Sequence, residues 1–409
     1  MKNLLVIEDN KAVASVIEHL GTSAGYQVTV AYSFAEVKEI LARQQDFFIA
    51  TVDYSLPDAY DGEVIPYVLK HDIPCVIMTG RMDDKIHRKL LRLPIVDYIT
   101  KENSQAYRYL LRVLHGQLTN HQIDVLVVDD SLSARQHICR LLKRRNFTVY
   151  DQPDGSKALQ TLEKYPSIKL LITDQQMPGM SGVELTQTIR KKYPERDLSI
   201  IGCSGMQDDF QSARFIKNGA NDFLKKPFCP EEFYCRVLQN VEFIESIETI
   251  TRQANTDYLT GLYNRRYFFE TVEPSVKSQQ PQTLAMMDID LFKSINDNFG
   301  HDAGDDVLRA VSALLKQFFG NEQVVARLGG EEFSVFFADM PLAQAETQLE
   351  AFRQTLADTN IVSGKRHVQC TMSIGVTHGT FEQLDQLLIY ADELLYQAKQ
   401  AGRNRVIAR

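Results

Sequence analysis

The sequence predicts an α/β protein made of two copies of one parallel-sheet unit followed by a third unit of different composition. Three observations predict it: an internal repeat, apolar runs that end in acids, and a length of 409 residues. At about 150 residues per domain, that length suits three domains better than one core. Residues 4–7 run into Glu8-Asp9, and residues 125–128 into Asp129-Asp130. Each run of Leu and β-branched residues reads as a buried parallel strand that delivers carboxylates to its carboxyl end. Residues 47–53 and 169–174 are second strands ending in Asp53 and Asp174, and the spacing from Asp9 to Asp53 equals that from Asp130 to Asp174. A third pair, 75–79 and 199–204, ends in the hydroxyls of Thr79 and Ser204, and a fourth ends at Lys101 and Lys226, again equally spaced. Helical stretches such as 133–145 and 182–192 lie between the strands, so each copy alternates β and α.

Residues 232–255 contain neither Gly nor Pro and read as one continuous helix. Phe243, Ile247, Ile250 and Ala254 follow a 4-3-4 spacing there, which suits either a coiled-coil seam or a helix face packed on its own domain. The expected layout is 1–118 and 122–242 for the repeated units, a linker helix over 238–256, and a third domain over 257–409. In that third domain, strand 283–287 meets Asp288-Ile289-Asp290, and a turn at Gly329-Gly330 opens strand 333–337.

Lys and Arg total 45 against 53 Asp and Glu, a net charge of −8, which argues against a surface built to hold nucleic acid or anionic lipid. The six cysteines form no Cys-x-x-Cys pair and suit reduced thiols better than a disulfide framework. The amino-terminal apolar run meets Glu8 too early for a signal peptide or a membrane span, so the expected location is the cytoplasm.

In open α/β sheets the loops beyond the strand carboxyl ends carry the site. Glu8, Asp9, Asp53, Thr79 and Lys101 are therefore expected to converge, and likewise Asp129, Asp130, Asp174, Ser204 and Lys226. Clustered carboxylates repel, and a hard divalent cation is the usual relief, with Mg²⁺ the natural candidate. A carboxylate facing Mg²⁺ and a lysine can attack an activated phosphoryl group, and the hydroxyl can then bond the new phosphate. This ordered set, present twice, resembles the response-regulator receiver family, whose fold is doubly wound and flavodoxin-like. The resemblance implies phospho-accepting Asp53 and Asp174, with Mg²⁺ held by Glu8, Asp9 and Asp53 and by Asp129, Asp130 and Asp174. It also implies switch residues Thr79, Lys101 and Tyr98 in one copy and Ser204, Lys226 and Phe223 in the other, and a sensor histidine kinase or phosphotransfer protein as partner. The second copy keeps Pro178, Gly182 and Lys226-Pro227-Phe228; in the first, Gly62 comes one residue late and Glu102 follows Lys101.

Arg327-Leu328-Gly329-Gly330-Glu331-Glu332-Phe333 resembles the signature of GGDEF diguanylate cyclases in its Glu-for-Asp form. Asp257-Tyr258-Leu259-Thr260-Gly261-Leu262 is similar to that family's opening motif, Asp288 to Asp297 and Gly300 to Asp305 to its nucleotide segment, and Ala398 to Asn404 to its closing one. The resemblance implies a mixed α/β nucleotidyl-cyclase-like fold and the condensation of two GTP into cyclic di-GMP and two pyrophosphates. Such a reaction is governed by alignment and charge, so it needs acids that hold Mg²⁺ and cations that hold the triphosphate. The implied metal ligands are Asp288, Glu331 and the Ile289 carbonyl, with Glu332 assisting. Lys293, Lys399 and Arg403 would contact phosphates, Leu291 and Phe292 would border the nucleotide, and Asn296 and Asp305 would read guanine. One GTP per site implies a homodimer. The Arg-x-x-Asp product-binding motif of many members would fall at Gly320 and Gln323, so no product-inhibition site is expected. A non-catalytic GTP-binding or phosphorelay scaffold is the alternative; a DNA-binding regulator lacks any helix-turn-helix segment and suits the acidic balance poorly.

Overall fold

Apolar runs that end in acids do form parallel strands, and the strand order places those acids. The computed structural model describes residues 1–80, 83–101, 103–194, 197–205, 210–278, 280–320 and 322–409, and Glu102 lies outside them. Packing divides the chain into two units, Met1–Ser246 and Ile247–Arg409.

The first unit holds two parallel sheets. Strands β1 (Lys2–Ile7), β2 (Tyr26–Ala31), β3 (Phe47–Asp53), β4 (Cys75–Thr79) and β5 (Asp97–Thr100) lie in the order β2-β1-β3-β4-β5. Strands β6 (Asp124–Val128), β7 (Thr148–Gln152), β8 (Ile168–Asp174), β9 (Ser199–Ser204) and β10 (Asp222–Lys225) repeat it as β7-β6-β8-β9-β10. Leu4, Leu5, Val125, Leu126 and their neighbours are fully buried, as expected when helices cover both sheet faces. In each sheet the order reverses beside the first strand, and that switch point opens the crevice into which the acids project.

The two sheets meet through a polar seam. Arg145, only 2% exposed, is paired with the buried Asp97 of the other sheet, lies 3.2 Å from the Tyr109 hydroxyl and stacks 4.4 Å over the Tyr234 ring. Asn120 Nδ2 donates to the Arg145 carbonyl at 2.8 Å, Arg112 meets Glu242 at 2.5 Å, and His87 Nε2 lies 3.0 Å from Glu231 Oε1.

The helix expected over 232–255 spans Pro230–Asn255. It begins two residues earlier because proline suits a first helical turn, where its missing N–H has no partner to lose. Phe243 and Ile250 are 49% and 64% exposed and Ala254 is exposed, so the 4-3-4 set is not buried against its own domain.

In the second unit, β11 (Tyr263–Asn264), β12 (Gln282–Ile289), β13 (Val324–Gly329), β14 (Glu332–Phe337), β17 (Met372–Gly379) and β18 (Val406–Ala408) form one mixed sheet, ordered β11-β13-β14-β12-β17-β18; β15 (Ile361–Ser363) and β16 (Arg366–Val368) form a separate hairpin. Strand β12 is buried along its whole length between antiparallel β14 and β17, which fixes the height at which its terminal acids emerge. The β13–β14 hairpin turns at Gly330-Glu331, with Gly330 at φ 48°, where glycine carries no steric cost. Among the described residues, no helix is long and apolar enough to cross a membrane.

Candidate functional site

In the first sheet, Glu8, Asp9 and Asp53 bring one oxygen each to within 4.8 Å of one another, a spacing that suits a shared cation. Lys101 Nζ spans two of them, at 2.5 Å from Glu8 Oε2 and 2.6 Å from Asp53 Oδ2. Burial pushes the Glu8 carboxyl up to about 7, and Lys101 pulls against it. Thr79 is buried at the end of β4 beside this group, as the strand order requires. In the second sheet Lys226 spans Asp129, at 2.6 Å, and Asp174. Burial raises the Asp174 carboxyl while Lys226 lowers it. Asp130 is exposed, and the close trio found among the described residues is the first sheet's, not Asp129, Asp130 and Asp174. Ser204 is buried at the end of β9.

In the second unit, pairing of Asp288 with Glu332 across β12 and β14, and donation from the Ile289 N–H to the Glu331 carbonyl at 3.3 Å, bring the hairpin acids to the end of β12. Asp288 is 7% exposed, and Lys399 Nζ lies 2.8 Å from its Oδ2. Burial raises the Asp288 carboxyl; Lys399 opposes the shift, and Glu331 and Glu332 add to it. Lys399, expected at a phosphate, thus rests on the acid that would take the metal. Lys293 is exposed on the first turn of helix Phe292–Phe299, and Leu291 precedes it in a left-handed conformation, φ 55°. The Phe292 side chain belongs to the core, so only its backbone can meet a ligand. Asn296 on that helix faces Gly304 on helix His301–Phe319 so closely that a Cβ there would come 2.0 Å from Asn296 Oδ1. Asp305 follows, half-exposed and 3.9 Å from Arg309. Arg403 is exposed at φ 63°.

The family model for the response regulator receiver domain matches residues 4–108 and 125–238, more than half of the chain, and that for the diguanylate cyclase GGDEF domain matches 254–405. The chain belongs to the response regulators that carry a GGDEF diguanylate cyclase domain. It is similar to response regulator PleD of Caulobacter vibrioides, 29% identical with 99% of each chain covered. It also resembles diguanylate cyclase DgcM of Escherichia coli K12, 39% identical over 39% of this chain and 40% of that one. A solved two-component response regulator/GGDEF protein superposes with a TM-score of 0.54 at 33% identity, covering 60% of this chain and all of the other.

Within the GGDEF domain a second network escaped the motif reading. Arg327 Nη1 reaches Asp257 Oδ1 at 3.0 Å, while its Nε and Nη2 donate to the Gly330 carbonyl at 2.9 and 2.7 Å. Asp257 also accepts from the Thr260 N–H and hydroxyl. The opening motif therefore holds the turn that carries Glu331, a link between residues 70 apart in sequence. At the place of the product-binding motif, Gly320 closes helix His301–Phe319, and Gln323 Oε1 accepts from the Ala338 N–H at 3.0 Å.

Proposed function

We propose that this diguanylate cyclase is switched by phosphorylation of its receivers, takes GTP with Mg²⁺, and works as a homodimer in which two GGDEF sites face each other. In each site Asp288, Glu331 and the Ile289 carbonyl would hold Mg²⁺; an all-oxygen, doubly anionic donor set fits that ion, and a cation there would relieve the burial of the Asp288 charge beside Glu331 and Glu332. When bound, the ion offsets charge on the transferring phosphoryl oxygens. Lys293, Lys399 and Arg403 hold the triphosphate, Asn296 and Asp305 pair with the guanine edge, and the backbone of Leu291 and Phe292 borders the phosphates. The 3′-hydroxyl oxygen of one GTP gives up its proton to solvent and forms a bond to the α-phosphorus of the other, the α–β bridge breaks, and pyrophosphate leaves with the electron pair. Glu332, exposed beside this cluster, assists electrostatically.

The observation that carries this reading is the 2.8 Å pair of Lys399 with a buried Asp288 beside the Glu331 turn, an acid and a cation held where metal and phosphate must meet. Asp174 and Asp53 accept phosphate from a histidine kinase or phosphotransfer protein; the acidic residues around each would hold Mg²⁺, which would offset charge on the phosphoryl oxygens. Thr79 with Tyr98, and Ser204 with Phe223, respond. Pyrophosphate release from GTP and Mg²⁺ by the purified protein tests the reading. Glu331→Gln should abolish cyclic di-GMP synthesis with the fold intact, and ATP should be rejected because it leaves Asp305 unpaired. Unchanged output from Glu331→Gln, or comparable turnover of ATP, overturns it.

A further inference from the structure

Two residues beyond Asp288, Asp290 is also buried, 7% exposed. Its partners among the described residues are neutral donors. Oδ1 accepts from the Ser373 hydroxyl at 2.6 Å, and Oδ2 accepts from the Thr371 hydroxyl at 2.7 Å and from the Asn404 N–H at 3.0 Å. Three bonds take up most of a carboxylate's roughly four acceptor positions, which leaves little for a metal.

The third bond reaches an unusual stretch of backbone. Gly402, Arg403 and Asn404 have φ of 110°, 63° and 45°. Two successive non-glycine residues in the left-handed region are uncommon and persist only where the surroundings hold them. Two holds converge on Asn404: its N–H on Asp290, and its Oδ1 on Arg353 Nη1 at 2.6 Å, with Arg353 itself gripped by Glu350. Arg403, the residue that this turn presents to solvent, has no such side-chain anchor among the described residues, and its N–H returns to the Ala398 carbonyl at 3.0 Å. The backbone turn therefore sets where, and in which direction, the Arg403 side chain leaves the chain.

We infer that Asp290 is a positioning residue for triphosphate binding, its carboxylate fixing the left-handed Arg403-Asn404 turn and so aiming the Arg403 guanidinium, while Asp288 alone of the two acids serves the metal. The inference rests on the reading of Arg403 as a phosphate contact. It is tested on the full chain by calorimetric titration with guanosine 5′-(α,β-methylene)triphosphate in Mg²⁺, for the wild type, Arg403→Ala, Asp290→Asn and the double variant, with thermal melts alongside. Each single change should weaken binding about tenfold, as loss of one charge-assisted contact does. The double variant should fall within about twofold of Arg403→Ala, because residues that act through one another do not add. A double loss near a hundredfold overturns the inference and leaves the phosphate reading standing. No loss from Arg403→Ala alone removes that reading, and the inference with it. Should Asp290→Asn fail to fold, Arg353→Met takes its place. It should weaken analogue binding severalfold in the wild type and not in the Arg403→Ala background, and unchanged affinity in the wild type overturns the proposal.

Discussion

The first receiver and the second carry five strands in the same order, and in each a lysine spans two carboxylates, yet their edge strands are wired in opposite directions. Asp97 and Tyr98, at the start of β5, face the other receiver: Asp97 pairs with Arg145, and burial followed by Glu231 raises the Tyr98 phenol, whose ring lies 5.6 Å from that of His87. Asp222 and Phe223, at the start of β10, stay within their own receiver. Asp222 meets Arg236 at 3.2 Å and Asn240 at 3.3 Å, and Phe223 packs 5.8 Å from Phe215. The loops that follow Asp53 and Asp174 differ as well. Gly182 lies against the Asp174 carbonyl, where a Cβ would come to 2.2 Å, whereas Gly62 turns at φ 70° over Tyr54. One chemistry at the pocket can thus report to different places. Tyr98 of the first receiver reaches Glu231, at the head of helix Pro230–Asn255, and Phe223 of the second reaches its own helix Gln211–Lys217.

The largest expected effect comes from cutting the outward wiring. Arg145→Met leaves Asp97 buried without its cation and should cost about 3–5 kcal/mol in urea unfolding. Arg236→Met, at a pair whose arginine is 42% exposed, should cost about 1 kcal/mol or less. Equal losses would break the comparison.

Next in size is the response to phosphorylation. The second receiver keeps the close glycine at its acceptor and is continuous with the output helix, so Asp174→Asn should remove an activation by acyl phosphate of about tenfold. Asp53→Asn should leave most of it. The reverse order, measured as cyclic di-GMP synthesis, would make the first receiver the input.

A third difference concerns pH. With the Glu8 carboxyl raised to about 7, protons compete with Mg²⁺ in the first pocket, and its affinity should fall by up to about tenfold per unit as pH drops below about 7. Without metal the sign for stability is opposite. The folded state binds the extra proton between the ordinary carboxyl value of 4.5 and about 7, so this contribution is present at low pH and lost as pH rises through that window. Mg²⁺ titrations of the wild type and Glu8→Gln at several pH values check this; identical pH profiles would remove Glu8 from the metal site. The smallest effect is expected from the His87–Glu231 pair, partly open to solvent. A double-mutant cycle with glutamine at both places should give a coupling below about 1 kcal/mol.

Much of this molecule is legible because strand ends and glycine turns are local. The acid, acceptor, hydroxyl and lysine sets announce both sheets and their switch points, and Gly329-Gly330 announces the hairpin. The continuous helix is legible from its lack of breakers, though Pro230 moves its start by two residues. Lys399 illustrates the limit: its motif points to a phosphate, but the carboxylate it rests on becomes visible only when helix Leu384–Gln400 is placed beside β12.

By itself the sequence determined the α/β class, the repeat, and which residue types stand at the strand ends, because burial periodicity and turn chemistry act over a few residues. Tertiary structure alone decided that Asp9 joins Glu8 and Asp53 in a close trio, that Arg145 seals the seam between receivers, that Arg327 ties the Glu331 turn to Asp257, and that Asp290 holds Asn404. Each of these depends on a contact across tens of residues, and such partners are chosen by which surfaces the packed elements bring within hydrogen-bond reach, a quantity that no local pattern encodes.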